Sequence, residues 1–292
     1  MSKRGVTTTK NSTNGRSGSA RRWLVRNVSR AMWAVAPSVT IKAAHRLFFS
    51  PASYPVNDEQ KGLLETAETF EVKVRDKTVK GWIWGKGPIV LLVHGWGGRG
   101  IQLSGFIGSL VESGYSVVAY DNPAHGESGG STTNFFEFVE TINEVSSHLG
   151  GIHAVVAHSM GAGSAMNLGG NIAADIKFVL VAPIYDIRAE IGAMVEEIGL
   201  HTDIFETMIE NVEEKFGYRL ADVSPSSLAT SMSARALIIH DSNDRVTSLS
   251  NSRALEKKWI NATLAPTSGL GHNRILRDGS VIKRSIEFLK DQ

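Results

Sequence analysis

Ser159 lies in Ala157-His158-Ser159-Met160-Gly161-Ala162-Gly163, directly after a short apolar run and before a stretch with helical patterning. A serine on a sharp strand-to-helix turn projects its hydroxyl beyond the carboxyl edge of a sheet. Small residues two before and two after it leave room for the crowded backbone. The pattern here is G-x-S-x-G with Ala157 in place of the first glycine, a change of one methyl. The competing role is a plain helix N-cap, which serine can fill on any helix. A serine hydroxyl is a poor nucleophile until a base takes its proton. The base in turn must be held in one tautomer by a carboxylate.

Of nine histidines, His272 is the candidate base. It sits in Gly269-Leu270-Gly271-His272-Asn273-Arg274, after the last strand-like run and before the final helical one. His94 and His158 flank predicted turns and read as supports for loops, and His125 lies in a tight loop after a strand. His240 ends a strand, while His45, His148, His153 and His201 need no role beyond packing or solvation. For the acid, His240-Asp241-Ser242-Asn243-Asp244-Arg245-Val246 offers two carboxylates. Asp244 is favoured because it lies far enough into the loop to turn over the sheet edge toward His272. Asp241 abuts the strand and is the rival, and Asp186, after the preceding strand, is a third candidate. A tetrahedral oxyanion also needs amide donors. His94-Gly95-Trp96-Gly97-Gly98 follows an apolar run, so one amide is expected from Trp96 and the other from Met160. A phosphate loop is poorly supported, since the segment has no Gly-Lys-Ser/Thr ending.

The elements that would position these residues are legible as patterns. Thr69–Arg75 and Thr78–Trp84 alternate as two strands around a turn at Asp76-Lys77. Nearly continuous apolar runs follow at Ile89–Val93, Ser116–Tyr120, Ala154–Ala157, Phe178–Val181 and Ala236–Ile239, with a weaker one at Ala262–Pro266. Such runs mark strands buried on both faces of a parallel sheet. Helical stretches alternate with them at Ile101–Ser113, Phe135–Leu149, Met160–Ala173, Leu249–Trp259 and Val281–Leu289. The expected fold is α/β, with about eight mostly parallel strands and helices on both faces. About fifty residues separate the strand ending near Ala182 from the one at Ala236. They are mostly helical (Ile187–Leu200, Ile204–Phe216), and the surplus predicts a cap inserted at about 185–232.

Composition bounds the rest. The chain has 292 residues, 42% apolar and 21% charged, ordinary for one large soluble domain. The absence of cysteine excludes a disulfide framework, a thiolate nucleophile and a Cys-ligated metal. Residues 1–57 carry ten Lys or Arg and no acid, whereas the remainder has 21 basic and 29 acidic residues. Residues 1–22 read as a disordered basic tail, 23–57 as an amphipathic helical arm and 58–292 as the main domain. In the arm Leu24, Val28, Met32 and Val35 recur at helical spacing beside Arg22, Arg26 and Arg30. Three readings compete: packing on the body, lying on an anionic membrane surface, and export. Export is disfavoured, because Ala31–Ile41 contains Pro37 and is too short to span a bilayer.

The segments HGWGG, DNPAHGES, AHSMGAG, HDSNDRV and GLGHNRI occur in the order and setting of the α/β-hydrolase superfamily. They resemble its oxyanion loop, D-x-P-x-H-G turn, nucleophile elbow, acid loop and histidine loop, over about residue 68 to the C-terminus. The similarity is closest to bacterial esterase-like members with a short cap. It implies a Ser-Asp-His triad, no metal and no organic cofactor. Serine at the elbow argues against the epoxide hydrolases and haloalkane dehalogenases, which carry aspartate there. Two departures stand out, Ala157 and Ala124, each replacing a common glycine. The expectation is a serine hydrolase acting on a small ester or acyl substrate, with no nucleic-acid partner. Thioesterase or acyltransferase chemistry with the same triad is the alternative, and a non-catalytic binding protein is the reading from a different class. A cytoplasmic location with membrane-surface contact through the arm is expected.

Overall fold

Alternate residues of the apolar runs point to opposite sides of one sheet, and helices cover both sides. The computed structural model describes residues 14–52, 54–170 and 176–291. Its strands are β1 Glu68–Val74, β2 Lys77–Trp84, β3 Ile89–Val93, β4 Ser116–Tyr120, β5 Ala154–His158, β6 Lys177–Val181, β7 Ala236–Asp241 and β8 Ala262–Thr267. They form one sheet in the order β1-β2-β4-β3-β5-β6-β7-β8. β2 is antiparallel to both β1 and β4, and the other neighbours are parallel. Every expected strand is present. The hairpin turn falls one residue early, on Arg75-Asp76, with Arg75 at φ 54° and Val74 paired to Lys77. Lys77 is held in the strand because its ammonium donates to the Glu137 carboxylate and the Thr132 carbonyl.

The helices that precede the sheet are α1 Asn14–Val35, α2 Pro37–Phe49 and α3 Asp58–Glu65. Within the sheet region come α4 Ser104–Glu112, α5 Phe135–Leu149, α6 Met160–Ala165, α7 Ile187–Ile198 and α8 Thr202–Phe216. After these follow α9 Leu220–Val223, α10 Pro225–Leu228, α11 Leu249–Lys258, α12 Gly271–Arg274 and α13 Gly279–Lys290. Leu91, Val93, Val155 and Leu180 face a core completed by Ile142 and Val145 of α5 and Leu255 of α11. Val90, Leu92, Val156 and Val179 face the other, completed by Phe106 and Leu110 of α4 and Val281 of α13. Two dry faces explain why these strands read as unbroken apolar runs.

The chain divides into two compact units, 46–188 with 216–292, and 1–45 with 189–215. The first holds the sheet together with α9 and α10, and just after α10 Ala229 and Met232 join the core. The second joins α1 and most of α2 to 189–215, which hold most of α7 and of α8. Helix α1 starts earlier than the arm's expected boundary at residue 23. Residues 1–13 of the expected disordered tail lie outside the described residues. Pro37 opens α2, where its fixed φ suits a first helical turn.

The turn after β4 carries one local misfit. Ala124 has φ 62°, a left-handed conformation, while its N–H donates to the Gly129 carbonyl at 2.8 Å. That conformation costs an L-residue roughly 1–2 kcal/mol, and glycine escapes it while losing ~0.5–1 kcal/mol through its freer unfolded chain. Ala124→Gly is therefore expected to stabilise the protein by about 0.5–1 kcal/mol, seen as a rise of roughly 1–3 °C in Tm by thermal denaturation. An unchanged or lowered Tm would count against the strain.

Candidate active site

The turn at Ser159 is built by close packing of bare backbone. Ser159 has φ 53° and ψ −118°, outside helix and strand geometry, directly between β5 and α6. Its N–H donates to the Val181 carbonyl of β6 at 3.0 Å, anchoring the turn to the neighbouring strand. A Cβ on Gly161 would lie 2.3 Å from the His94 carbonyl oxygen, and one on Gly95 would lie 2.9 Å from Ser159 Cβ. Both positions need glycine because two backbones meet there. Ala157 is tolerated for the opposite reason. Its methyl is fully buried among apolar side chains at the end of β5.

The loop bearing Trp96 is held by neutral imidazoles. The Asn122 N–H donates to His94 Nε2 at 2.9 Å, so His94 carries its proton on Nδ1, 2.7 Å from the Gly95 carbonyl. Likewise the Gly97 N–H donates to His125 Nε2 at 3.0 Å, and His125 Nδ1 donates to the Pro123 carbonyl. Burial lowers His94 to about 4 and His125 to about 3. Asp121 braces the same loop, accepting from the Gly100 and Glu127 amides at 2.7 Å each. Met160 opens α6, where a first-turn N–H has no intrahelical acceptor. Neither the Trp96 nor the Met160 amide donates to a group among the described residues.

Asp244 and His272 are brought together. Asp244 Oδ2 lies 2.7 Å from His272 Nδ1, with the carboxylate side chain almost wholly buried. The carboxylate can only accept, so His272 Nδ1–H donates there, and in a neutral imidazole Nε2 is then the acceptor. Burial alone would raise Asp244. Hydrogen bonds from His240, His272 and the Val246 amide outweigh it and hold the carboxyl well below its ordinary range. Thr247 adds its amide and hydroxyl to the same carboxylate, at 3.0 and 3.2 Å.

Asp241 has a different task. Its Oδ2 accepts from the Leu270 amide at 3.0 Å and the Thr267 hydroxyl at 2.8 Å, and Oδ1 accepts from the Asn243 amide. It ties β7 to the loop that carries His272. The bonds of His272 Nδ1 run to Asp244 and Thr247, and to neither Asp241 nor Asp186. His158 joins the elbow to that loop: its Nε2 donates to the His272 carbonyl at 3.0 Å, and the two rings sit 4.5 Å apart. Burial, then the neighbouring His272, lowers His158 to about 3. The Ser159 hydroxyl itself bonds to no described residue, so serine and imidazole adjoin through their chain segments rather than by a direct bond.

Sequence reasoning passed over Thr247, the contact of His240 with Asp244 (3.5 Å), and the bracing role of Asp121. The last two left a signal in the i, i+4 spacing of His240 and Asp244 and in the D-x-P-x-H-G turn.

A family model described as the alpha/beta hydrolase family matches residues 90–272, which span the loop, the elbow and His272. The chain belongs to the alpha/beta hydrolase family. No curated protein matches it in sequence. Among solved structures, an esterase from Pyrococcus furiosus is 21% identical with a TM-score of 0.62, covering 83% of this chain and 97% of its own. A membrane phospholipase A described as a bacterial virulence factor is 16% identical, TM-score 0.61, covering 94% and 97%. The thioesterase domain of the curacin biosynthetic pathway is 16% identical, TM-score 0.55, covering 77% and 100%. These likenesses establish this hydrolase's fold.

The neutral imidazoles give the hydrolase a pH signature. An unfolded chain protonates its histidines near pH 6.5, whereas His94, His125 and His158 stay neutral to about pH 3–4 when folded. The unfolded state then binds more protons, so stability falls as pH drops below about 6.5. The lowered Asp241 and Asp244 act in the same direction below about pH 4. Tm is expected to decline steadily from pH 6.5 to 4.5, and His125→Asn should shallow that slope. A Tm independent of pH over the interval would contradict the neutral state of these buried imidazoles.

Proposed function

We propose that this hydrolase cleaves carboxylic esters with Ser159 as nucleophile, His272 as base and Asp244 as acid. The observation that carries the reading is the buried Asp244–His272 bond beside a serine in elbow geometry. His272 Nε2 takes the Ser159 proton as Oγ forms a bond to the ester carbon, and the carbonyl π pair moves onto oxygen. The Trp96 and Met160 amides receive that oxyanion, a contribution on the order of 10²–10³ in rate per donor. When the tetrahedral intermediate collapses, the C–O bond to the alcohol breaks and His272 protonates the leaving oxygen. Water then attacks the acyl-serine with His272 again as base, releasing the acid and restoring Ser159. Asp244 stays ionised throughout, because the donors around it favour its charged form.

Thioester cleavage or acyl transfer would use the same atoms with a different leaving group or acceptor. The names of the similar structures, esterase, phospholipase and thioesterase, agree on attack at an acyl carbon. Two of these three, the esterase and the phospholipase, are named for oxygen esters, which supports the ester reading.

Hydrolysis of p-nitrophenyl esters tests the assignment. Ser159→Ala is expected to lower kcat by about 10⁶, and Asp244→Asn by about 10⁴ through the wrong tautomer. Full activity in Ser159→Ala would remove the mechanism. An active Asp244→Asn beside an inactive Asp241→Asn would move the acid to the neighbouring residue.

A further inference from the structure

The N-terminal arm is turned the opposite way from an ordinary packed helix. In α1 Leu24, Val28, Met32 and Val35 follow one another at steps of four, four and three residues, which sets them on one face. That face is open: Leu24 is 56% exposed and Val35 86%, with Val28 and Met32 close to half. Buried instead are Ser29, at 8%, and Thr40, at 4%, their hydroxyls returned to the Arg26 and Ala36 carbonyls. Gly199 shows how α1 seats on this small-residue side, since a Cβ there would lie 2.6 Å from the Arg22 carbonyl oxygen. The packing of the unit therefore uses the polar side of the helix and leaves the large apolar side outward. An exposed apolar row of this kind marks an interaction surface.

Charge identifies the occupant. The row continues into α2 through Val39 at 60% exposure, and then, at steps of three and four, through exposed Lys42 and Arg46. Bonds from the Ala36 amide to Met32 and from the Thr40 amide to Ala36 carry the helical turn across Pro37. Arg22 and Arg26 lie elsewhere, lining a groove with Glu196 and Glu197 of α7. Residues 1–57 contain ten basic residues and no acid, so a second copy docked arm to arm would meet like charge. An anionic lipid surface meets both requirements, an apolar boundary for the valines and leucine and phosphate or carboxylate headgroups for Lys42 and Arg46. No helix among the described residues is long and apolar enough to cross a membrane. We infer that the α1–α2 arm lies on an anionic membrane surface, with the Leu24–Val28–Met32–Val35–Val39 row in the headgroup–acyl boundary.

Sedimentation of the full chain with vesicles tests this independently of the triad. Vesicles of phosphatidylcholine alone are compared with vesicles holding about 30% phosphatidylserine, at ~100 mM salt. Binding is expected on the anionic vesicles at least about tenfold more tightly than on the neutral ones, and Lys42→Gln with Arg46→Gln should remove most of that preference. A variant with Leu24→Gln, Val28→Gln, Met32→Gln and Val35→Gln changes only exposed positions. It should keep its circular dichroism spectrum and its hydrolysis of a soluble ester while losing vesicle binding. A chain that stays in the supernatant with both vesicles overturns the inference, as does equal binding to both or undiminished binding by the four-site variant. A dimer abolished by the four substitutions, with no vesicle binding, would assign the face to a second copy and equally overturn it. Loss of ester activity in the parent alone would strike the proposed reaction and leave the arm untouched.

Discussion

Ser159 occupies a conformation that neither the strand before it nor the helix after it supplies, and the neighbouring backbone is shaped to hold it there. The cost of such a residue is of order 1–3 kcal/mol and persists only where the surroundings over-determine it. Here they do. The Val181 carbonyl holds the serine amide, Gly95 and Gly161 let two loops meet without side chains between them, and the sheet behind is dry on both faces. Moving any of these would shift the hydroxyl relative to the free amides of Trp96 and Met160.

Charge is confined to the places where the proposed chemistry uses it. Three buried imidazoles around the elbow are neutral, two of them fixed by amides that donate to their ring nitrogens and one by donation to the His272 carbonyl. They add shape and hydrogen bonds without adding positive charge beside the base. Asp244 is the opposite case, a buried carboxylate whose negative charge is sustained by His240, Thr247, the Val246 amide and His272. Only a carboxylate kept ionised can steady the imidazolium that proton transfer creates.

Strands β3 to β7 were legible because they are buried on both faces, and an unbroken apolar run of that length between turns marks such a strand. The strand-to-helix turn at Ser159 left a signal because close packing asks for small residues two before and two after the serine. Asp244, three residues past the end of β7, is the carboxylate in contact with His272 Nδ1, while Asp241 at the strand end bonds to the Leu270 and Asn243 amides. What escaped was support acting across the chain. His158 holding the His272 carbonyl spans 114 residues, and no local pattern announces it. For the arm the sequence left three readings open, for another reason. An apolar helical stripe ordinarily means a buried face, and α1 instead buries Ser29 and leaves Leu24 and Val28 outside. Which face is covered depends on the partner, which periodicity does not name.

The central claim is that Ser159 is an activated nucleophile, and covalent capture reads it directly. A fluorophosphonate that transfers one phosphonyl group, followed by intact mass and peptide mapping, is expected to give a single adduct on Ser159 at neutral pH. His272→Ala should slow that labelling by orders of magnitude while leaving the fold intact. An unlabelled wild-type protein, or an adduct on any other residue, would contradict the account.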